Sequence, residues 1–253
     1  MPRLLRLALV ALLALASSLA GATIRVHVPG TSNPWLAGAP AGTVDEFDTA
    51  PFQSPVLVQG LELRGSRALS FRVTGAVANC GADSPSVICC PDCGRAFPGP
   101  DGPIAGQNGA ADVFNHRPFN GLSDVRAPIN SLIGVFLGPN PPDAQATPAM
   151  LDFSSAGLGR AFLSLHPELQ QPFFIGDGLT GRGSGREQRF FAPEGATRLF
   201  LGTMDGAEWS NNAGAFRVQV TTVPEPSALL LTGTGLGLLV LLRRRVAGRA
   251  LAN

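Results

Sequence analysis

Between Thr23 and Thr222 the apolar positions fall in short runs, and several of those runs alternate with polar residues. Leu69-Ser70-Phe71-Arg72-Val73 and Phe216-Arg217-Val218-Gln219-Val220 put every second residue on one apolar face, which is the period of a half-buried strand. The runs predict strands at Ile24–Val28, Val56–Gln59, Ala68–Thr74, Leu132–Leu137, Pro172–Ile175, Gln188–Ala192, Thr197–Leu201 and Phe216–Thr222. Gly, Pro, Asn or Asp closes each one. One segment, Ala161–Gln171, fits a short helix with Pro167 in its first turn. Short strands joined by long Gly- and Pro-rich loops predict an all-β chain, a β-sandwich of the jelly-roll kind. No internal repeat is visible and one domain over 23–222 suffices; Asn140–Pro148 reads as a long loop.

The two ends break this pattern. Residues 1–22 have a basic start, an apolar run of about ten residues and the small-residue exit Ala20-Gly21-Ala22, the layout of a secretory signal peptide cleaved before Thr23. The run is short for the competing role, an uncleaved anchor. Residues 223–253 hold Pro224-Glu225-Pro226, then Ser227–Leu242 without a charge, then Arg243-Arg244-Arg245. Sixteen helical residues reach about 24 Å, short of a ~30 Å hydrocarbon core. A single transmembrane segment over 227–242 therefore needs local thinning or snorkelling arginines. The arginine cluster favours the cytoplasmic side, which leaves the upstream domain outside.

Composition narrows the class. Charged residues are 15% of the 253, against 31 Gly and 22 Pro, too few charges for a coiled coil or a charge-extended disordered chain. The chain has neither Lys nor Tyr, so all 19 basic residues are Arg. Thr23–Pro226 holds 13 Arg and 18 Asp plus Glu, 13 − 18 = −5. A mildly acidic domain lacks the electrostatic footprint of a nucleic-acid binder.

All four cysteines, Cys80, Cys89, Cys90 and Cys93, lie within fourteen residues. In an exported chain they suit disulfides that staple a loop poor in core residues. A Cys89–Cys90 bridge would be strained, which pairs Cys80 with one of that pair and Cys93 with the other. The alternative is a zinc site, for which Cys90-x-x-Cys93 has suitable spacing but no second CxxC accompanies it.

The candidate chemistry sits late, at Leu199–Val218: a strand, the loop Asp205-Gly206-Ala207-Glu208-Trp209-Ser210-Asn211-Asn212, and a strand. Calcium takes six to eight oxygens. Asp205, Asn211 and Asn212 offer side chains, and a carbonyl at or near Glu208 offers a fourth group. The same residue types also make a solvated hairpin loop. Trp209 fits two roles, stacking on a sugar face or plugging the underside of the loop.

Two resemblances rest on these residues. The Pro224-Glu225-Pro226 motif, apolar segment and arginine cluster resemble the PEP-CTERM sorting signal of exported bacterial proteins. That implies cleavage near the motif by an exosortase and delivery to the cell surface or extracellular matrix after transient anchoring in the inner membrane. The stretch Phe173–Val220, with Phe190–Ala196, Asp205, Asn211-Asn212, Ala213-Gly214 and Phe216-Arg217-Val218, resembles the C-terminal half of calcium-dependent, galactose-binding bacterial lectins. It implies that Asp205, Asn211, Asn212 and the carbonyl of Glu208 hold Ca²⁺, with sugar hydroxyls completing the shell. The loop is one residue shorter than in those lectins. The family's first-half groups have no clear match, Gly99–Gly102 and Asn115-His116 being the nearest positions.

Other motifs lead nowhere. Gly176-Asp177-Gly178-Leu179-Thr180-Gly181 follows a strand, but Arg182-Gly183-Ser184-Gly185 after it cannot open the helix a dinucleotide site needs, so a hairpin is predicted. Gly183-Ser184-Gly185 is not a nucleophile elbow. His27, His116 and His166 have no metal-ligand spacing and read as scattered surface or core residues. The sequence thus predicts a non-enzymatic, Ca²⁺-dependent carbohydrate-binding module whose partner is an extracellular polysaccharide or glycan. A structural surface protein with a calcium-stiffened loop is the alternative, and a polysaccharide hydrolase a distant third.

Overall fold

The computed structural model describes residues 22–63, 67–79, 98–104 and 113–223. Residues 1–21 of the expected signal peptide, all four cysteines with their disulfide or zinc alternatives, the Pro224-Glu225-Pro226 motif and segment 227–242 lie outside them. No helix among the described residues is long and apolar enough to cross a membrane.

The alternating segments form one sheet. Strand β1 (Thr23–Pro29) pairs antiparallel with β15 (Ala213–Val223), which pairs antiparallel with β5 (Ala68–Ala78) along its whole length, from Ala213↔Ala78 to Val223↔Ala68. Beyond β5 lie β13 (Arg189–Phe191) and, parallel to it, β9 (Ser164–Leu165). Phe216, Val218 and Val220 are buried while Arg217 and Gln219 are exposed, the two-residue period read from the sequence.

The second sheet follows the order β10 (Phe173–Phe174), β7 (Leu132–Leu137), β14 (Arg198–Thr203), β4 (Val56–Leu57). All six residues of β7 are buried, the burial of a strand covered on both faces. The apolar faces of the two sheets meet in one cluster, with Phe71, Phe190, Phe216 and Val218 from the first and Ile133, Val135, Phe173 and Leu201 from the second. The fold is therefore all-β and sandwich-like. Gly134 is required in it, because a Cβ there would stand 2.6 Å from Cζ of Phe173.

All eight predicted strands form, Leu132–Leu137 with the predicted ends and the other seven with shifted ones. Short pairs went unread: β2 (Val44–Asp45) with β3 (Asp48–Thr49), and β6 (Val125–Arg126) with β8 (Leu151–Asp152). The Gly176–Gly185 stretch is the predicted hairpin, β11 (Leu179–Gly181) with β12 (Ser184–Glu187). The helix expected at Ala161–Gln171 does not form. That segment contains β9, and His166 stacks flat on Phe191 with centroids 4.3 Å apart. The buried Gln188 amide donates to the carbonyls of Arg160 and Phe162 at 2.8 and 2.9 Å, and Pro167 has no N–H to give a helix.

Candidate functional site

Strands β14 and β15 both form, but they belong to different sheets. The loop Met204–Asn212 is thus a crossover at one end of the sandwich, which removes the simple hairpin as its description. The segment after β1 lies against it. Gly202 permits that approach, since a Cβ there would meet the Ser32 carbonyl at 2.6 Å. The Gly30 carbonyl accepts from Thr203 Oγ1 at 2.7 Å and from Asn212 Nδ2 at 3.1 Å.

Asp205 is only 4% exposed and Asn212 8%. Asp205 Oδ1 accepts from Gly206 N at 2.7 Å, the Ala207 amide also reaches the carboxylate, and the Asn212 side chain lies beside it. Because the Asn212 nitrogen is committed to the Gly30 carbonyl, its oxygen is not free to be exchanged for a donor. Asp205 Oδ2 and Asn212 Oδ1 are both buried with no hydrogen-bond partner. Burial pushes the Asp205 carboxyl up to about 7, the negative charge of Asp48 adds to it, and the Asn212, Gly206 and Ala207 donors oppose it.

Asp48 comes from the β2–β3 hairpin. It holds the 3₁₀ turn Trp209–Asn211 by accepting from Trp209 N at 3.1 Å and Ser210 N at 2.9 Å. Burial raises its carboxyl despite those donors and Asn33, and the neighbouring Asp45 charge adds to the rise. Asn33 Nδ2 bridges Asp45 Oδ2 at 3.2 Å and Asp48 Oδ2 at 3.3 Å. Asp45 also lies 3.2 Å from His116 Nε2 and 2.7 Å from Arg117 Nη2. Burial works against its ionisation, but the His116 contact and charge, with Asn33 and Arg117, hold Asp45 below the ordinary carboxylate range.

Apolar rings close this network. His116 lies against Trp35 at 4.4 Å and Trp209 at 5.4 Å between centroids. Trp209 has no exposed surface, and its indole N–H donates to the Thr203 carbonyl at 2.8 Å. Of the two roles predicted for Trp209, the packing one matches this placement.

The four expected calcium ligands divide. Asp205 and Asn212 come together in the interior. Glu208 and Asn211 stay exposed and bond each other, Asn211 Nδ2 to Glu208 Oε2 at 3.3 Å. The Glu208 carbonyl accepts from Asn211 N at 3.0 Å, and Glu208 itself takes a left-handed conformation, φ 59°. Among the described residues no group of three or more His, Cys, Asp or Glu makes a metal cluster, so a cation here would rest on one carboxylate with amide and carbonyl oxygens. The two orphaned buried acceptors fit such a group. The Asn115-His116 region does reach the loop, with the Asn115 carbonyl 3.8 Å from where a Gly206 Cβ would stand. Gly99–Gly102 is engaged elsewhere, Asp101 accepting from Asp177 N at 3.1 Å.

Sequence reasoning missed Asn33, Asp45, Asp48 and Trp35, and read His116 both as a scattered core or surface residue and, with Asn115, as a nearest position to the lectins' first-half groups. The available signal was Asp45 and Asp48 bracketing a two-residue turn. Compared with known protein families, characterised proteins and solved structures, this chain matches none of them.

Proposed function

We propose that this chain is an exported, non-catalytic surface or matrix protein whose crossover loop is locked by a divalent cation, Ca²⁺ by its donor chemistry. One observation carries the reading: Asp205 Oδ2 and Asn212 Oδ1 are buried acceptors without donors. Such atoms cost roughly 1–3 kcal/mol each when left unsatisfied, and a hard cation is a partner that a set of oxygen acceptors can hold. Asp205 and Asn212 would hold it, with loop carbonyls. The ion would fix the crossover between the two sheets. The jelly-roll subclass, the export signal and exosortase sorting at Pro224-Glu225-Pro226 belong to the same proposal and rest on the resemblances above.

The test is the melting temperature in millimolar calcium and in chelator. A ligand at 100 times its Kd adds about 2.7 kcal/mol, worth roughly 5–10 °C in a domain of this size. Asp205→Ala should remove the shift. No shift in the wild type refutes the cation.

Calcium-mediated sugar binding is the second reading. The exposed Glu208–Asn211 pair on the same loop favours it; the burial of Asp205, Asn212 and Trp209 ranks it second. A glycan array run with and without chelator separates the two.

A further inference from the structure

The outward face of the five-stranded sheet carries a basic patch that the crossover loop does not use. The register puts Arg25, Gln219 and Arg72 on one rung across β1, β15 and β5, and His27, Arg217 and Thr74 on the next but one. All six are exposed. They frame a depression of about 420 Å³. Adjacent strands stand about 4.8 Å apart, so Arg25 and Arg72 are rooted about 10 Å from one another with Arg217 between and to one side. Among the described residues the patch makes one ion pair, Arg72 with Glu187 at 3.8 Å. Arg25 and Arg217 have none.

This local charge stands against a domain that is −5 from Thr23 to Pro226. A surface that concentrates guanidinium groups in an otherwise acidic domain suits a ligand whose negative charges are discrete and spaced. Guanidinium groups take carboxylates and sulfates bidentately. Between and beside them stand hydroxyl and amide groups, Gln219 and Thr74, and the Thr23–Thr221 hydroxyl pair at 3.0 Å. The depression is not lined by any aromatic ring other than that of His27, which leaves little for the base stacking that single-stranded nucleic acid uses.

We propose that this sheet face binds an acidic polysaccharide, its uronate carboxylates or sulfate esters seated on Arg25, Arg72 and Arg217 and its hydroxyls on the intervening polar side chains. The site is separate from the calcium loop and needs no metal.

Affinity electrophoresis of the full chain in neutral detergent tests it, in chelator, through gels containing polygalacturonate, dextran sulfate or neutral dextran. Retardation is expected in the first two gels and not in the third. The Arg25→Gln/Arg72→Gln/Arg217→Gln variant should bind at least roughly tenfold more weakly with an unchanged melting temperature. Arg217→Glu alone guards against a misfolded triple variant and should weaken binding more than Arg217→Gln. Asp205→Ala should bind as the wild type does, whichever way the calcium experiment falls. Retardation by dextran equal to that by polygalacturonate, or undiminished binding in the triple variant, overturns the proposal. An oligonucleotide of matched charge binding more tightly than polygalacturonate overturns the ligand class.

Discussion

Asp205→Asn offers a direct reading of what the crossover loop lacks. A carboxyl that ionises near 7 instead of 3.8 carries a penalty of about 4 kcal/mol once ionised in the folded chain. Below 7 the native state keeps a proton that the unfolded chain has already lost. Stability therefore falls as pH rises from the ordinary carboxylate value toward 7, and levels off above it. In chelator at pH 8, Asp205→Asn replaces a buried charge by a neutral amide of the same shape, and its new N–H₂ supplies a donor beside the orphaned Asn212 Oδ1. The variant should melt higher than the wild type by up to about 8–16 °C, and the gap should close by pH 5. Calcium at 100 times its Kd should narrow that gap by about 2.7 kcal/mol, because the ion stabilises only the carboxylate. Its binding below pH 7 should release close to one proton per chain, measurable from the buffer dependence of the calorimetric enthalpy. Thermal melts at pH 5, 6, 7 and 8, with calcium and with chelator, give the whole comparison. A wild type and a variant with parallel pH profiles in chelator would refute the account of Asp205, whatever calcium does.

Further outcomes follow from neighbouring contacts. Asp48→Ala strips the acceptor from Trp209 N and Ser210 N and should cost about 2–4 kcal/mol in urea unfolding. Asp45, held below the ordinary carboxylate range by His116, Asn33 and Arg117, contributes stability that is present above the ordinary value and lost as pH falls through its lowered one. Asp45→Asn should therefore flatten the acid limb of the stability profile. Gly134→Val drives side-chain atoms into the Phe173 ring and should cost about 1–3 kcal/mol or prevent folding, read by soluble yield and circular dichroism. Trp35 and Trp209 are both wholly buried and are the chain's two tryptophans, so its fluorescence should resist acrylamide quenching until the fold melts.

The long strands were legible because their burial is one-sided. Arg217 between Phe216 and Val218, and Arg72 between Phe71 and Val73, announce a sheet with one wet face. Strand β7 was legible through a different sign, an unbroken apolar run. The two-residue strands carry no period at all and exist because their neighbours hold them. The helix expected at Ala161–Gln171 failed for the same reason: the donors that keep it extended come from Gln188, which no local pattern could reveal. Half of the loop chemistry was readable, since Asp205 and Asn212 stand close in sequence. The other half enters from Asn33, Asp48 and His116, which lie 172, 157 and 89 positions before Asp205 and are tied to it only by the crossover of the sheets. Alternation could not tell that β14 and β15 lie in different sheets, which makes the loop a crossover that buries Asp205, Trp209 and Asn212 while Glu208, Ser210 and Asn211 stay exposed.

The first and last strands of the sandwich are neighbours. Thr222 N donates to the Ala22 carbonyl at 3.0 Å, and Ala22 N donates to Thr222 Oγ1 at 3.0 Å. Chain order and spatial order are thus closed into a ring at this edge. A short peptide joining residue 223 to residue 23, which pairs with Thr221, with new termini cut at the exposed Arg182–Gly183 turn, should give a circular permutant with the same sheets. The strand sequence has, in this sense, no privileged beginning.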